Sequence, residues 1–131
     1  MKFSVNQKDL QNSLNYCQGV IEKRSTLPIL SNVLIEAKNA NLKIIATDLD
    51  LIFIQNISNI EISEDGATTT SCSIMYDIVR KFNNEKKINF NLVSENKINL
   101  ESDKSSFNLN CLKSSEFPIT EANFRENEFI L

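Results

Sequence analysis

Two aspartates, Asp48 and Asp50, have the type and spacing that could bind a divalent cation together with nucleotide phosphates. The same pair also suits a tight turn between two strands, because an aspartate side chain accepts hydrogen bonds from the backbone that follows it. We favour the turn. A small metal-dependent nucleotidyl or glycosyl transferase is the alternative, and it would require further acidic side chains close to these two.

Other residues that could carry chemistry are scarce. The sequence has no histidine, which removes the usual serine or cysteine triads and the commonest metal ligand. Gly19 and Gly66 are its only glycines, so neither a phosphate-binding loop nor a dinucleotide fingerprint can form. Cys17, Cys72 and Cys111 lie far apart without a CxxC pair, which is typical of reduced, packed thiols. These absences make two enzyme classes unlikely, those that use such triads and those that bind nucleotides through such loops, and the cysteines do not indicate a metal site.

The formal charge of −3 limits how the protein could bind nucleic acid. Compact domains that hold nucleic acid by bulk positive charge are usually strongly basic, so any contact must come from local groups such as Glu22-Lys23-Arg24, Arg80-Lys81 and Lys86-Lys87. Each group alone is more typical of a solvated loop or helix end. The sequence shows no signal peptide and no apolar run near the roughly 18 residues of a membrane span, so we expect a cytoplasmic protein.

The elements that would position these residues occur in one order, twice. In the first half, residues 2–5 alternate as a strand, and residues 7–18 carry apolar side chains at helical spacing. Three extended runs follow, at residues 32–37, 42–47 and 51–60. In the second half, residues 67–71 form a strand before a helix at 73–82, which Ser71 or Ser73 could cap. A meander of three alternating strands completes the half.

This pattern predicts an α+β fold, in which two pseudo-repeated β-α-β-β-β units pack two helices on antiparallel sheets. Each unit alone would leave one helix and one sheet face uncovered. From their spacing, we expect Leu10, Leu14 and Cys17 of the first helix to face the sheet. By the same spacing, Ile74, Ile78 and Phe82 would form the apolar stripe of the second helix. Residues 1–120 would form this domain. Residues 121–131 would be a linker and the truncated start of a second domain, because residues 128–131 begin a new extended run; a short disordered terminus is the alternative.

Two blocks of sequence are specific enough to indicate a family. Residues 24–32 (RSTLPILSN) and 46–51 (ATDLDL) closely resemble the amino-terminal domain of the bacterial sliding clamp, the DNA polymerase III beta-subunit family. Met1-Lys2-Phe3, Gly66-Ala67-Thr68-Thr69, Asp77-Ile78 and Glu116-Phe117-Pro118 fit the same family in order. The resemblance covers the whole chain.

The resemblance implies a DNA clamp fold and a homodimeric ring of two subunits with three domains each, which encircles duplex DNA without reading its sequence. Strands would form the outer rim, and the two helices would line the hole. Such a ring tethers the replicative polymerase and is opened by an ATP-driven clamp loader, so the clamp itself is not an enzyme. The pocket that captures polymerase and loader peptides lies between the family's second and third domains, outside this chain.

Carried over by position, Arg24 corresponds to a loop arginine that the family uses on DNA, and Arg80 to a basic residue of the second helix. Ser73 and Ile74 depart from the family, in which close relatives have basic residues. The resemblance thus implies DNA contact at Arg24 and Arg80, and it leaves contact by the start of the second helix open.

The family also joins its subunits by pairing a strand edge of the first domain with the partner's third domain. The corresponding strand is residues 106–112, and Phe107, Leu109, Ile78 and Phe82 would form an apolar patch for the partner. Strand alternation allows an alternative, in which all four belong to the domain's own core. A second hypothesis for the whole chain is a free-standing α+β interaction module that binds protein through a strand edge, without DNA.

Overall fold

The computed structural model describes residues 1–21, 28–48 and 50–118, which contain nine strands and two helices. The strands are β1 (Lys2–Asn6), β2 (Asn32–Lys38), β3 (Asn41–Thr47), β4 (Ile52–Ser58), β5 (Glu61–Glu64), β6 (Gly66–Ser71), β7 (Lys87–Ser94), β8 (Lys97–Ser102) and β9 (Ser105–Lys113). The helices are α1 (Gln7–Gln18) and α2 (Cys72–Val79). Short 3-10 turns occur at Pro28–Ser31 and Ser114–Glu116. This order confirms the predicted repeat, with β5 as an additional strand.

The described strands form one antiparallel sheet in the order β4-β3-β2-β6-β9-β8-β7-β1-β5. The two halves interlock in this sheet. Strand β1, which opens the first half, pairs with β7 of the second, and β6, which opens the second half, pairs with β2 of the first. Each half therefore completes the sheet of the other. Separating the halves would remove the strand that flanks each meander.

Both helices lie on one face of this sheet and cover the main core. Leu10, Leu14 and Cys17 are buried there, which confirms the predicted direction of α1. A smaller cluster, formed by Leu34, Ile45 and Phe117, lies on the opposite face of β2 and β3. Alternate residues of these strands belong to the two clusters, as expected for a sheet that is covered on both sides.

Two predicted boundaries are wrong. The predicted strand at residues 51–60 is interrupted at Asn59, whose φ of 59° is left-handed, and the chain continues as the separate strand β5. The second helix covers Cys72–Val79 and not residues 73–82, because Ser71 supplies the N-cap by accepting a hydrogen bond from the Ile74 amide. Its C-cap is Arg80.

Gly66 opens β6 directly against the chain's first residue. A Cβ atom at this position would lie 2.7 Å from the Cβ of Met1, closer than packed carbon atoms allow. Packing therefore explains the glycine of the Gly66-Ala67-Thr68-Thr69 motif. None of the helices in the described ranges is long and apolar enough to cross a membrane. The predicted linker and strand at residues 121–131 lie outside the described residues.

Candidate functional site

The two helices offer one surface that could contact a ligand. Helix α1 begins at Asn6, whose side-chain oxygen accepts hydrogen bonds from the amides of Lys8 and Asp9. Because its apolar residues face the sheet, α1 leaves a polar face in solvent, on which Asn12 and Tyr16 are exposed. This face carries few charges and many hydrogen-bonding groups.

Helix α2 faces the core with a stripe different from the predicted one. Met75, Ile78 and Val79 are buried, whereas the side chain of Ile74 is 53% exposed. The prediction for Ile74 was therefore wrong. Phe82 is also buried, but it lies in the loop that follows the end of the helix and packs into the core from there.

Polar contacts fix the two helices relative to each other. The Gln7 side chain is buried, and its Nε2 donates to the carbonyl oxygen of Val79 at 2.8 Å. The Cys72 thiol donates to the carbonyl oxygen of Leu14 at 3.8 Å. Since each bond joins one helix to the other, the exposed faces of α1 and α2 form one continuous surface, which we call the helix face.

Arg80 lies on this helix face, at the end of α2. Its side chain is 54% exposed, and its guanidinium forms an ion pair of 3.1 Å with Asp77 and lies over the Tyr76 ring at 5.5 Å from the centroid. These contacts orient the side chain while leaving it accessible to an anion. Arg24, the other predicted DNA contact, lies outside the described residues. As far as the described residues go, the helix face can thus attract phosphates weakly and carries no dense basic patch.

Asp48 and Asp50 lie in a tight turn. One carboxylate oxygen of Asp48 accepts hydrogen bonds from the amides of Asp50 (3.0 Å) and Leu51 (2.7 Å). The hydroxyl of Thr47 donates to the carbonyl oxygen of Leu51 at 2.8 Å. Across the described residues, no group of three or more histidine, cysteine, aspartate or glutamate side chains could hold a metal ion. The geometry therefore supports the turn over the transferase.

The three cysteines are free thiols and all are buried. Burial raises the pKa of the Cys17 thiol from 9.0 to about 12. The pKa of Cys72 is also raised to about 12, first by burial and second by the nearby charge of an ionised Cys17. Both thiols therefore stay protonated at neutral pH, and neither is a nucleophile.

We expect iodoacetamide to modify Cys17 and Cys72 at least about 100-fold more slowly in the folded protein than in the unfolded one at pH 8, because the thiolate is the reactive form. Mass spectrometry of peptides from native and guanidinium-unfolded protein gives both rates. Rapid native modification of either residue would show that the helix pair opens readily.

The residues predicted to meet a partner subunit come together around the free side of β9. Ile78, Phe82 and Leu109 are buried, and Phe107 is half-buried with its ring edge-on to Phe82, at 5.6 Å between centroids. All four belong to or pack against the main core. Phe107 is the member of this cluster that a partner could contact directly.

Strand β9 has a backbone edge that no described strand covers. Residues Ser105–Asn110 of β9 pair with β8, whereas β6 pairs only with its end, at Cys111, Leu112 and Lys113. Beyond that point β6 has turned into α2. A groove of about 410 Å³ opens between the start of α2 and this edge.

Sequence reasoning missed the two exposed apolar side chains that line this groove. Ile74 is 53% and Leu112 42% exposed. Leu112 lies outside the alternation of Phe107, Leu109 and Cys111, which was a possible signal of its exposure. The groove itself could not be predicted, because it depends on where β6 leaves β9.

Comparison with known proteins identifies relatives over almost the whole chain. The family model described as DNA polymerase III beta subunit, N-terminal domain, matches residues 1–121. The beta sliding clamp of Caulobacter vibrioides is 32% identical over 120 residues, which cover 91% of this chain and 32% of that protein. The beta sliding clamp of Escherichia coli K12 is 31% identical over 131 residues, 100% of this chain and 36% of that protein.

Solved structures agree with this. The sliding clamp of Bartonella birtlesii, crystallised with griselimycin, superposes with a TM-score of 0.86 at 37% identity, over 92% of this chain and 32% of that one. A DNA polymerase sliding clamp from Caulobacter crescentus gives a TM-score of 0.85 at 31% identity, over 92% and 33%. The chain spans about a third of the length of the curated relatives that it matches.

Proposed function

Since the chain belongs to the DNA polymerase III beta-subunit family, through that family's N-terminal domain, we propose that it is the first domain of a bacterial DNA sliding clamp. The observation that carries this proposal is the match of sequence and fold together over residues 1–121, with a TM-score of 0.86 to a solved clamp. The proposed protein is a cytoplasmic, non-catalytic processivity factor that needs no cofactor.

The proposed domain arrangement follows from the relatives' length. Residues 1–120 form the first clamp domain, and residues 121–131 form a linker and the start of a second domain. Two further domains complete a subunit, and two subunits close the ring. The replicative polymerase and the clamp loader bind through the domains beyond this chain.

The mechanism we propose needs only weak contact with DNA. The helix face lines the hole, and the sheet forms the rim. A closed ring stays on duplex DNA because the two are topologically linked, so strong or sequence-specific contacts would only slow its sliding. A net charge of −3 and a helix face with few charges support this role rather than tight binding.

Topological retention gives the test. The full-length clamp, loaded on nicked circular plasmid by its own loader, should remain bound through gel filtration and should be released when a restriction enzyme linearises the plasmid. A matched plasmid that lacks the restriction site controls for spontaneous loss of the clamp. A protein that stays equally on linear and circular DNA, or on neither, would contradict the clamp function.

We propose that Arg24 and Arg80 supply the phosphate attraction. In the full ring, Arg24→Ala and Arg80→Ala should each weaken DNA contact about two- to fivefold at low salt without loss of folding, since both changes remove a positive charge and the Arg80 side chain is 54% exposed. The effect should shrink as salt rises. Fluorescence anisotropy with duplex DNA at several salt concentrations measures it.

The matched control is Lys2→Ala. Lys2 is exposed on β1, whose neighbours Phe3 and Val5 face the helix-covered core, so its side chain lies on the opposite face of the sheet. The same loss of charge there should change DNA contact little. Equal DNA affinity of wild-type and arginine variants at low salt would refute the assignment.

We also propose that the free edge of β9 forms the ring's seam, with Ile78, Phe82, Phe107 and Leu109 as the apolar cluster at the partner subunit. A strand edge offers unpaired backbone donors and acceptors, and proteins usually guard such an edge with charge, proline or a covering element. Ser106–Leu112 contains neither charge nor proline. A partner strand would cover it.

A further inference from the structure

Asp77 lies at the end of a helix, where the backbone disfavours a carboxylate. Helix α2 covers Cys72–Val79, so Asp77 lies in its last turn. The partial negative charge of the free carbonyl groups at that end opposes an acidic side chain. Within the described residues, the one ion pair of Asp77 is with Arg80, at 3.1 Å. Arg80 is therefore the group on which this carboxylate acts.

This contact takes up part of the Arg80 guanidinium. The Oδ1 atom of Asp77 pairs with Nη2 of Arg80, and the central guanidinium carbon lies over the Tyr76 ring. A guanidinium binds a phosphate best through two parallel N–H groups. Because one nitrogen is paired with a carboxylate and one side lies over a ring, Arg80 has fewer N–H groups left for a phosphate.

The ion pair is weak enough for a phosphate to compete with it. The side chains of Arg80 and Asp77 are both more than half exposed. Exposed ion pairs contribute little to stability, because water and salt screen them. The carboxylate also repels a phosphate that approaches the same guanidinium. Asp77 therefore lowers the attraction between Arg80 and a phosphate without abolishing it.

Few other charges lie on the two helices that form the helix face. Asp77 is the only charged residue within Cys72–Val79, and Gln7–Gln18 contains only Lys8 and Asp9, both exposed at the start of α1. The Asp77–Arg80 pair therefore accounts for a large part of the charge on this face. A change in this pair should be measurable in DNA contact.

We infer that Asp77 is a positioning residue that competes with DNA phosphates for the Arg80 guanidinium and so keeps the contact of the ring with duplex DNA weak. This inference rests on the proposed clamp function and on the proposed role of Arg80. A phosphate must displace the carboxylate to pair fully with Arg80. Each contact then forms and breaks easily, which suits a ring that is held by topology and moves along the duplex.

A double-mutant cycle tests whether Asp77 acts through Arg80. In the full-length ring, Asp77→Asn should tighten DNA contact about two- to fourfold at low salt, because it frees the guanidinium and removes a repelling charge. In the Arg80→Ala ring, the same substitution should tighten contact about 1.5-fold or less. Fluorescence anisotropy with duplex DNA, measured at several salt concentrations, gives the affinities of the wild-type, single-variant and double-variant rings.

Two further variants separate this role from a plain effect of charge. Asp9→Asn removes the same charge from the start of α1, and Asp9 is not the partner of Arg80. Its effect should be equal in the wild-type and Arg80→Ala rings. Asp77→Glu keeps the carboxylate within reach of Arg80 and should bind DNA like the wild type. Circular dichroism and sedimentation check that each variant ring is folded and dimeric.

Movement along DNA supplies a second readout, which a merely structural role of Asp77 would not change. The Asp77→Asn ring, loaded on stretched duplex and followed by single-molecule tracking, should diffuse about twofold more slowly than the wild type, since each step breaks a stronger phosphate contact. The Asp77→Glu ring should diffuse like the wild type. Unchanged diffusion of a folded Asp77→Asn ring would overturn the inference.

The affinities distinguish this inference from the clamp function. If Asp77→Asn tightens contact equally with and without Arg80, Asp77 acts as a plain charge and the inference is wrong. If Asp77→Asn does not tighten contact at all, the inference is also wrong, but a wild-type clamp retained on circular plasmid still supports the proposed function. Loss of the wild-type clamp from circular plasmid would contradict the proposed function, and this inference with it.

Discussion

Replacing Leu14 with alanine is expected to lower the free energy of unfolding of this chain by about 3–5 kcal/mol. The Leu14 side chain is fully buried between α1 and the sheet. Its carbonyl oxygen also accepts a hydrogen bond from the Cys72 thiol of α2. The substitution leaves a cavity at the junction of both helices and the sheet, where packed neighbours limit collapse.

Urea unfolding followed by circular dichroism measures this loss. The matched control is Asn15→Ala, on the exposed face of the same helix, which should change stability by no more than about 0.5 kcal/mol. A loss below about 1 kcal/mol for Leu14→Ala would indicate that α1 is not held against the sheet as described. In the full ring, the same variant should also load poorly, because α1 would no longer be fixed on the helix face.

Replacing Phe107 and Leu109 with alanine is expected to separate two effects at the proposed seam, a loss of domain stability and a loss of dimerisation. Leu109 is buried, so Leu109→Ala should lower the domain's free energy of unfolding by about 2–4 kcal/mol. Phe107 is half-buried against Phe82, so Phe107→Ala should cost the domain less. In the full-length protein, we expect Phe107→Ala to raise the dimer dissociation constant about tenfold or more, as for an aromatic interface anchor.

Thermal melting of this chain and sedimentation of the full-length protein separate the two effects. Leu92→Ala, on the half-buried part of β7, controls for the general loss of an apolar side chain from the sheet. If the double variant keeps a dimeric ring while the melting temperature of this chain collapses, Phe107 and Leu109 serve only the core. The seam would then depend on other residues of the β9 edge.

The elements themselves were predictable because local patterns decide them. The helix at Gln7–Gln18 agrees with its apolar spacing in Leu10, Leu14 and Cys17, and Asn6 caps its start. The predicted strand at residues 51–60 failed at Asn59. A left-handed asparagine is a local feature, but Ile57 and Ile60, on either side of Ser58 and Asn59, made the run look continuous.

The Asp48 turn shows a limit of another kind. A D-x-D pair is compatible with metal binding and with a turn, and the sequence favours the turn only through the preference of aspartate for such positions. The two backbone amides that bind one oxygen of Asp48 decide it. Such a choice depends on local backbone direction, which spacing alone does not fix.

The sequence by itself determined the α+β class, the repeated order of elements, the buried face of α1 and the family, because each depends on periodicity or on a contiguous motif. Only the tertiary structure decided how the halves interlock through β1 and β6, and that Ile74 faces solvent while Met75 is buried. The physical reason is that α2 starts where β6 separates from β9, which sets the helix phase and opens the groove. Contacts between residues far apart in the chain fix that point, and no window of the sequence contains them.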